Sequence, residues 1–275
     1  MKKLLAGLII ILAAMNTQGQ RLFFNVFGGI SNYQGDLQEK RYTFDQAHPA
    51  FGIGLSYEIT DKLFARANIT MGKLSGNDAK GSKNLTRNLN FSSPITDVHA
   101  GLAYNFMNLY ERNVTPYVFA GISYFSFSPY TQDSIGQKVN LQPLSTEGQG
   151  FVSGRPVYKL SQFSIPFGGG VKFALSDNFR VGLEVGVRKT NTDYIDDVST
   201  TFVDQNLLLA NQGQLAVDLA FRGDELKTGL TYPAEGTLRG SSKNKDWYYF
   251  SGVTVAYRLG AGGGKKGIGC PRAVY

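Results

Sequence analysis

The 275-residue chain offers few side chains for chemistry: two His, one Cys and a short acidic run of Asp193, Asp196 and Asp197. Hydrolysis at a protein rim needs a nucleophile beside a base, usually with a carboxylate to orient the base. His48 has Asp45 close before it, but no serine context marks a nucleophile, and His99 lies inside an alternating segment. A zinc site takes about four N, S or O ligands, a set that two distant His and the lone Cys270 do not assemble. The acidic run carries the oxygen donors calcium prefers, although a solvated acidic loop is the commoner use of such a patch. Gly168 to Gly170 and Gly262 to Gly264 are not phosphate loops, because neither stands between a strand and a helix. The expectation is a protein without catalytic residues, metal or cofactor.

Composition narrows the class. Hydrophobic residues make up 42% and charged residues 18%, below the charged share of about 25% in ordinary globular chains. Disorder needs the opposite balance, and one Cys cannot staple a fold. No apolar run reaches the roughly 20 residues of a helical membrane span. Met1-Lys2-Lys3, the apolar stretch Leu4 to Ala14, and Thr17 and Gly19 ahead of Gln20 have the form of a secretory leader. Loss of Lys2 and Lys3 takes the formal charge from +7 to +5. That diffuse excess suits anionic lipid or lipopolysaccharide and lacks the concentrated stripe of a nucleic-acid binder.

The remainder alternates. Phe179, Val181, Leu183, Val185 and Val187 share one face, with Arg180, Gly182, Glu184, Gly186 and Arg188 on the other. Only a strand has this period of two. The same pattern runs through 51–59, 63–71, 98–106, 163–175 and 247–259. Residues 22–30 carry aromatics on both faces, and 117–127 fit either register. Eight such strands, joined by short turns at 60–62 and 176–178, a medium one at 107–115, and long loops at 31–49, 73–93, 128–161 and 189–245, predict an all-β fold. It is an eight-stranded antiparallel transmembrane β-barrel with long extracellular loops and short periplasmic turns. Both termini then fall in the periplasm. Soluble sandwiches alternate too, but here the polar face is rich in Gly, and aromatics such as Phe51, Tyr57, Trp247 and Tyr257 sit towards strand ends, where interfacial girdles belong. The division is a leader at 1–19, a barrel at 20–259 and a flexible tail at 260–275.

A barrel of eight strands has room only for its own side chains. The expected lining holds Glu58, Arg66, Asp97, His99, Lys172, Arg180, Glu184, Arg188 and Arg258. Opposite charges on facing strands would pair, with Gly leaving space for Arg. This plugs a lumen; it does not open a pore. In the last long loop, 204–222 is rich in Leu, Ala and Gln and reads either as two helical turns with an Asp218–Arg222 pair or as an irregular loop.

Three segments carry a family resemblance. Gly29-Ile30-Ser31-Asn32-Tyr33-Gln34-Gly35-Asp36-Leu37 resembles the opening motif of PorG-like outer-membrane barrels of the type IX secretion system. Arg239 to Tyr248 and the Cys270-Pro271 pair resemble the same family. The resemblance implies a non-enzymatic outer-membrane subunit that contacts the periplasmic ring lipoprotein of the secretion machine, with Cys270 and Pro271 as partner-binding residues. Read from the residues, Cys270 has no internal partner and follows a Gly-rich reach, so an intermolecular disulfide is expected. An OmpX-like surface barrel, acting in adhesion or envelope integrity through its loops, is the alternative.

Overall fold

The computed structural model describes residues 22–259, apart from 39, 41, 82 and 228. The expected leader, the tail and the Cys270-Pro271 pair lie outside the described residues. Eight long strands form the body: β1 (Leu22–Gln34), β2 (His48–Glu58), β3 (Leu63–Asn77), β4 (Asn90–Asn105), β5 (Val114–Phe127), β8 (Ser161–Ala174), β9 (Phe179–Thr190) and β10 (Trp247–Arg258). The short β6 (Tyr130–Gln132) and β7 (Lys138–Asn140) form a side hairpin, joined to β4 at the Ser92–Tyr130 pair.

Closure is made at one seam, between the first and last strands. Around the sheet the order runs β3-β2-β1-β10-β9-β8-β5-β4, and β4 returns to β3 from Leu63–Tyr104 to Asn77–Asn90. The first and last strands pair from Phe23–Arg258 to Gln34–Trp247. Every pairing is antiparallel. The eight-stranded barrel is closed.

Its faces are inverted relative to a soluble fold. Phe51, Ile53, Leu55, Ile69, Met71, Val98, Leu102, Val118, Ile122, Leu183 and Val185 are exposed, while Asp97, His99, Arg180 and Arg188 are buried. An outward apolar band around a polar interior is what a hydrocarbon environment selects. No described helix is long and apolar enough to cross a membrane.

The two ambiguous strands resolve for one reason: aromatics serve both faces. In β1, Phe24 and Val26 point outward while Phe23 is buried in the lumen, with Arg180 4.2 Å from its ring centre. In β5, Val118, Ile122 and Tyr124 face out, and Tyr117, Phe119 and Phe125 face in. Hydroxyls close two short turns locally. Thr60 Oγ1 accepts from the Leu63 amide (3.0 Å), and Ser176 Oγ from that of Phe179 (3.1 Å).

One long loop is shorter than its sequence suggests. Pairing of β3 with β4 continues through 73–77 and 90–93, so strand takes up nine of the 21 residues of the expected 73–93 loop. Leu74 and Phe91 turn inward there and keep the alternation going. Two helices do form in the last long loop, α1 (Gln205–Gln212) and α2 (Gln214–Ala220). Asp204 caps α1 through the Leu207 amide (2.8 Å), and Gly213, at φ 81°, makes the break that a side chain would resist. The expected Asp218–Arg222 pair is absent. α2 ends at Ala220, so Arg222 leaves the helix face and pairs with Glu225 (2.8 Å), while Asp218 accepts from Gln214 (2.7 Å).

Lipid exposure is directly testable at Ile122, which is 65% exposed near the middle of β5. Ile122→Arg is expected to destabilise the barrel by about 2–4 kcal/mol in bilayers, the range for a charge near the midplane. Urea unfolding in lipid vesicles measures it, and an unchanged midpoint would place this face in water.

Candidate functional site

Two polar networks are stacked along the barrel, with an aromatic and aliphatic layer at the long-loop end. The lower one is the lumen. Arg66 of β3 reaches across to Glu184 of β9 through two hydrogen bonds of 2.8 and 3.0 Å, and the Tyr117 hydroxyl donates to the same carboxylate at 2.6 Å. Glu58 accepts from Tyr110 (2.7 Å) and stands 3.5 Å from Arg180 and 3.9 Å from Arg258. Asp97 accepts from Tyr248 (2.7 Å) and stands 3.8 Å from Arg188. Lys172 donates to Asn105 (3.3 Å) and lies 4.0 Å from the Tyr117 ring centre. His99 tilts against Phe119, and neither of its nitrogens meets a partner among the described residues. Gly186 provides room, since a Cβ there would run into the Arg188 guanidinium.

Above this the interior turns apolar. Tyr33, Leu74, Phe91, Ile95, Phe125, Phe127, Tyr248 and Phe250 form one buried cluster with loop residues Leu141, Ile195 and Val198. The stack blocks the bore.

The upper network caps the long-loop end. Arg239 is its hub, donating to Glu147 Oε1 (3.0 Å), the Asp197 carbonyl (2.6 Å) and the Ala220 carbonyl (3.1 Å). Glu147 also accepts the Ser199 and Thr200 amides at 2.9 and 3.0 Å. Arg87 grips Asp78 at 2.6 and 2.7 Å and donates to the carbonyls of Asp36 and Arg239. Tyr33 Oη lies 2.6 Å from Asp196 and 2.9 Å from Asp246, and Asp36 accepts the Ser241 amide at 2.9 Å. Loops distant in sequence are thus held by buried charges, an arrangement that tolerates no missing partner.

The acidic run is not a solvated patch. Asp193, Asp196 and Asp197 are all buried, because the cap folds over them. No group of three His, Cys, Asp or Glu with metal-holding geometry occurs among the described residues. Burial above all pushes Asp193 up to about 7 and Asp197 to about 6, with the Glu147 carboxylate adding to both and Asp36 to the first; the Ser199 hydroxyl on the first and Arg239 beside the second moderate this. His48 does meet a serine, Ser75, at 2.8 Å, but the Asp45 carboxylate turns 3.7 Å to Lys80.

The sequence model of a domain of unknown function, DUF6089, matches residues 2–218, most of the chain. The chain belongs to the DUF6089 family. No curated protein matches it. Among solved structures, this DUF6089 chain is similar to Neisserial surface protein A at 10% identity, covering 86% of this chain and 97% of that one, with a TM-score of 0.44. It is likewise similar to Ail of Yersinia pestis (11%, 87% and 99%, 0.42) and to OprG of Pseudomonas aeruginosa (10%, 87% and 98%, 0.42). Likeness at this level says nothing of function.

For this DUF6089 member, sequence reasoning found the lumen side chains and missed the cap. Glu147, Arg87 and Arg239 stand in irregular stretches with no period to mark them. Arg239 opens the second segment of the family resemblance, which was the available signal; Glu147 and Arg87 had none.

Two outcomes follow from these networks. Glu184→Leu strands Arg66 without its carboxylate and is expected to cost about 3–5 kcal/mol, read as a lower urea midpoint in detergent. The cap responds to pH. A carboxyl that ionises near pH 7 when folded and near 4 when unfolded holds its proton more tightly in the folded state. Cap stability is therefore greatest below about pH 4 with respect to Asp193 and declines as pH rises through about 7. Protease cutting within 191–246 should accelerate across that window, and Asp193→Asn should flatten the rise.

Proposed function

We propose that this chain is a non-enzymatic outer-membrane barrel subunit of a type IX protein secretion machine, anchoring or contacting its periplasmic ring lipoprotein. One observation carries the reading. The two longer segments that resemble PorG-like barrels, separated by some two hundred residues, form a single structural unit. Tyr33 is paired with Tyr248 and Gln34 with Trp247 across the β1–β10 seam. Tyr33 also bonds Asp246, and Asp36 accepts the Ser241 amide. The resemblance thus follows one three-dimensional lock, whose parts must be retained together.

In this reading the short turns face the periplasm and the long-loop cap faces outward. β10 delivers the tail to the short-turn end, where Cys270 would form an intermolecular disulfide with the ring lipoprotein. Affinity capture of the tagged protein in mild detergent, followed by non-reducing gels, tests it. Recovery of a periplasmic lipoprotein, with a reducible larger species lost in Cys270→Ser, is expected. Capture of the barrel alone, with no species dependent on Cys270, would remove the secretion reading.

The second reading is a surface barrel of the OmpX kind, acting in adhesion or envelope integrity. It draws on exposed apolar side chains outside the eight long strands, at Phe44, Ile135 and Leu238, which are 75–80% exposed. Loss of cell attachment on replacing these three residues, with secretion intact, would favour it.

A further inference from the structure

Charge is almost absent from the outer wall. Along the alternation of the eight long strands, every other charged side chain turns into the lumen, and only Lys73 and Lys189 take outward positions. Both are cations, and both stand towards the long-loop ends of their strands. In the ring order β3-β2-β1-β10-β9 they are four strands apart, on opposite sides of the barrel. The short-turn end carries charge in another way. Its Asp61, Lys62, Glu111, Arg112 and Asp177 are exposed in the turns themselves, with the two signs mixed.

A lysine at a membrane rim can reach water from either leaflet by extending its stem, so a single sign confined to a single end asks for a further cause. Lys189 is exposed and lies between Ile165 and Trp247 across the two ladders, with its Nζ 6.0 Å from the Trp247 ring centre. Phe167 packs edge-on against the same indole. Lys73 Nζ lies 5.8 Å from the Tyr130 ring centre, and the side hairpin brings Lys138 Nζ to 4.1 Å from that same ring. An aromatic face attracts an ammonium group without neutralising it, and two like charges so placed repel each other. No carboxylate among the described residues is within ion-pair distance of Lys73, Lys138 or Lys189.

The wall below these cations is hydrocarbon-like. Val185 and Leu183 follow Lys189 down the outer face of β9, and Met71 and Ile69 follow Lys73 down that of β3, each of the four exposed. A ligand that fits both parts carries an anion at the level of the lysines and acyl chains beneath it. A free ion would use only the first part.

We propose that Lys189 with Trp247, and Lys73 with Lys138 and Tyr130, are two binding sites for the phosphate groups of a phosphorylated lipid in the leaflet at the long-loop end, of the lipid A class. The lipid supplies the negative charge that the outer wall lacks, and its chains lie along the apolar columns below. The sites need neither the secretion partner nor the tail; in a cell they call only for the outward cap that both readings share.

The experiment uses the full mature barrel in zwitterionic detergent, with retention of lipid A, of the same lipid stripped of its phosphates, and of phosphatidylcholine measured by native mass spectrometry. The wild type is expected to retain two molecules of lipid A in preference to the other two lipids. Lys73→Met and Lys189→Met are each expected to weaken one of the two binding events about fivefold, because one lysine near an anionic surface contributes about 1 kcal/mol. Lys189→Arg should restore binding, and the lipid-free melting midpoint of each variant should match the wild type. Lys62→Met removes the same charge at the short-turn end and should leave retention unchanged. Equal retention of lipid A and its phosphate-free form, an equal loss in Lys62→Met, or displacement of the lipid by excess inorganic phosphate would each overturn the proposal. Micelles have no sides, so absent binding here and an inverted orientation in cells are separate results.

Discussion

The structure depends on one constraint: a backbone amide or carbonyl within hydrocarbon has no water to bond, so the sheet must have no free edge. The β1–β10 ladder meets that demand at the one seam that chain order alone does not close. Once the ring is shut, each strand has one face in lipid and one in a narrow bore. The inversion of polarity follows directly. An apolar residue outside and a charged residue inside are two expressions of one closed hydrogen-bond circuit.

Narrowness sets the next level. Eight strands leave no room for a water column of useful width, and the chain fills the bore in layers. Charged groups with glycine clearance occupy one half, and aromatic and aliphatic side chains seal the other under a folded cap. Tyr248 belongs to both layers, packing against Phe125 and Phe250 while its hydroxyl donates to Asp97. It couples the dry layer to the ionic one.

What was legible in the sequence was whatever obeys a local period. Alternation in 179–188 placed Arg180, Glu184 and Arg188 on one face, and the structure finds them there, buried. Where one residue type suits both faces the period blurs, as at Phe23 and Phe24. Loops have no period, so the burial of Asp193 and Asp196 could not be read from an acidic run that looks solvated. Their environment is made by Tyr33 and Asp246, which arrive from elsewhere in the chain, and by the nearby Ser199. The Asp218–Arg222 spacing was read as a helical pair, and it failed because one residue of extended backbone at Phe221 ends the helix first.

The Tyr33 contact with Asp196 and Asp246 has a further consequence, for the order of assembly. Tyr33 is carried by the first strand, and Asp246 immediately precedes the last, so their meeting requires the chain's two extremes to be joined. Arg239, on the same connection as Asp246, then draws in Glu147 and Arg87 from two others. Such contacts are among the most remote in the chain and carry the largest closure entropy. The cap can mature only after the ring is complete, and a barrel arrested with an open seam would display its long loops unfolded. The lid is in this sense a record of completed insertion, written on the end opposite Leu22 and Leu259.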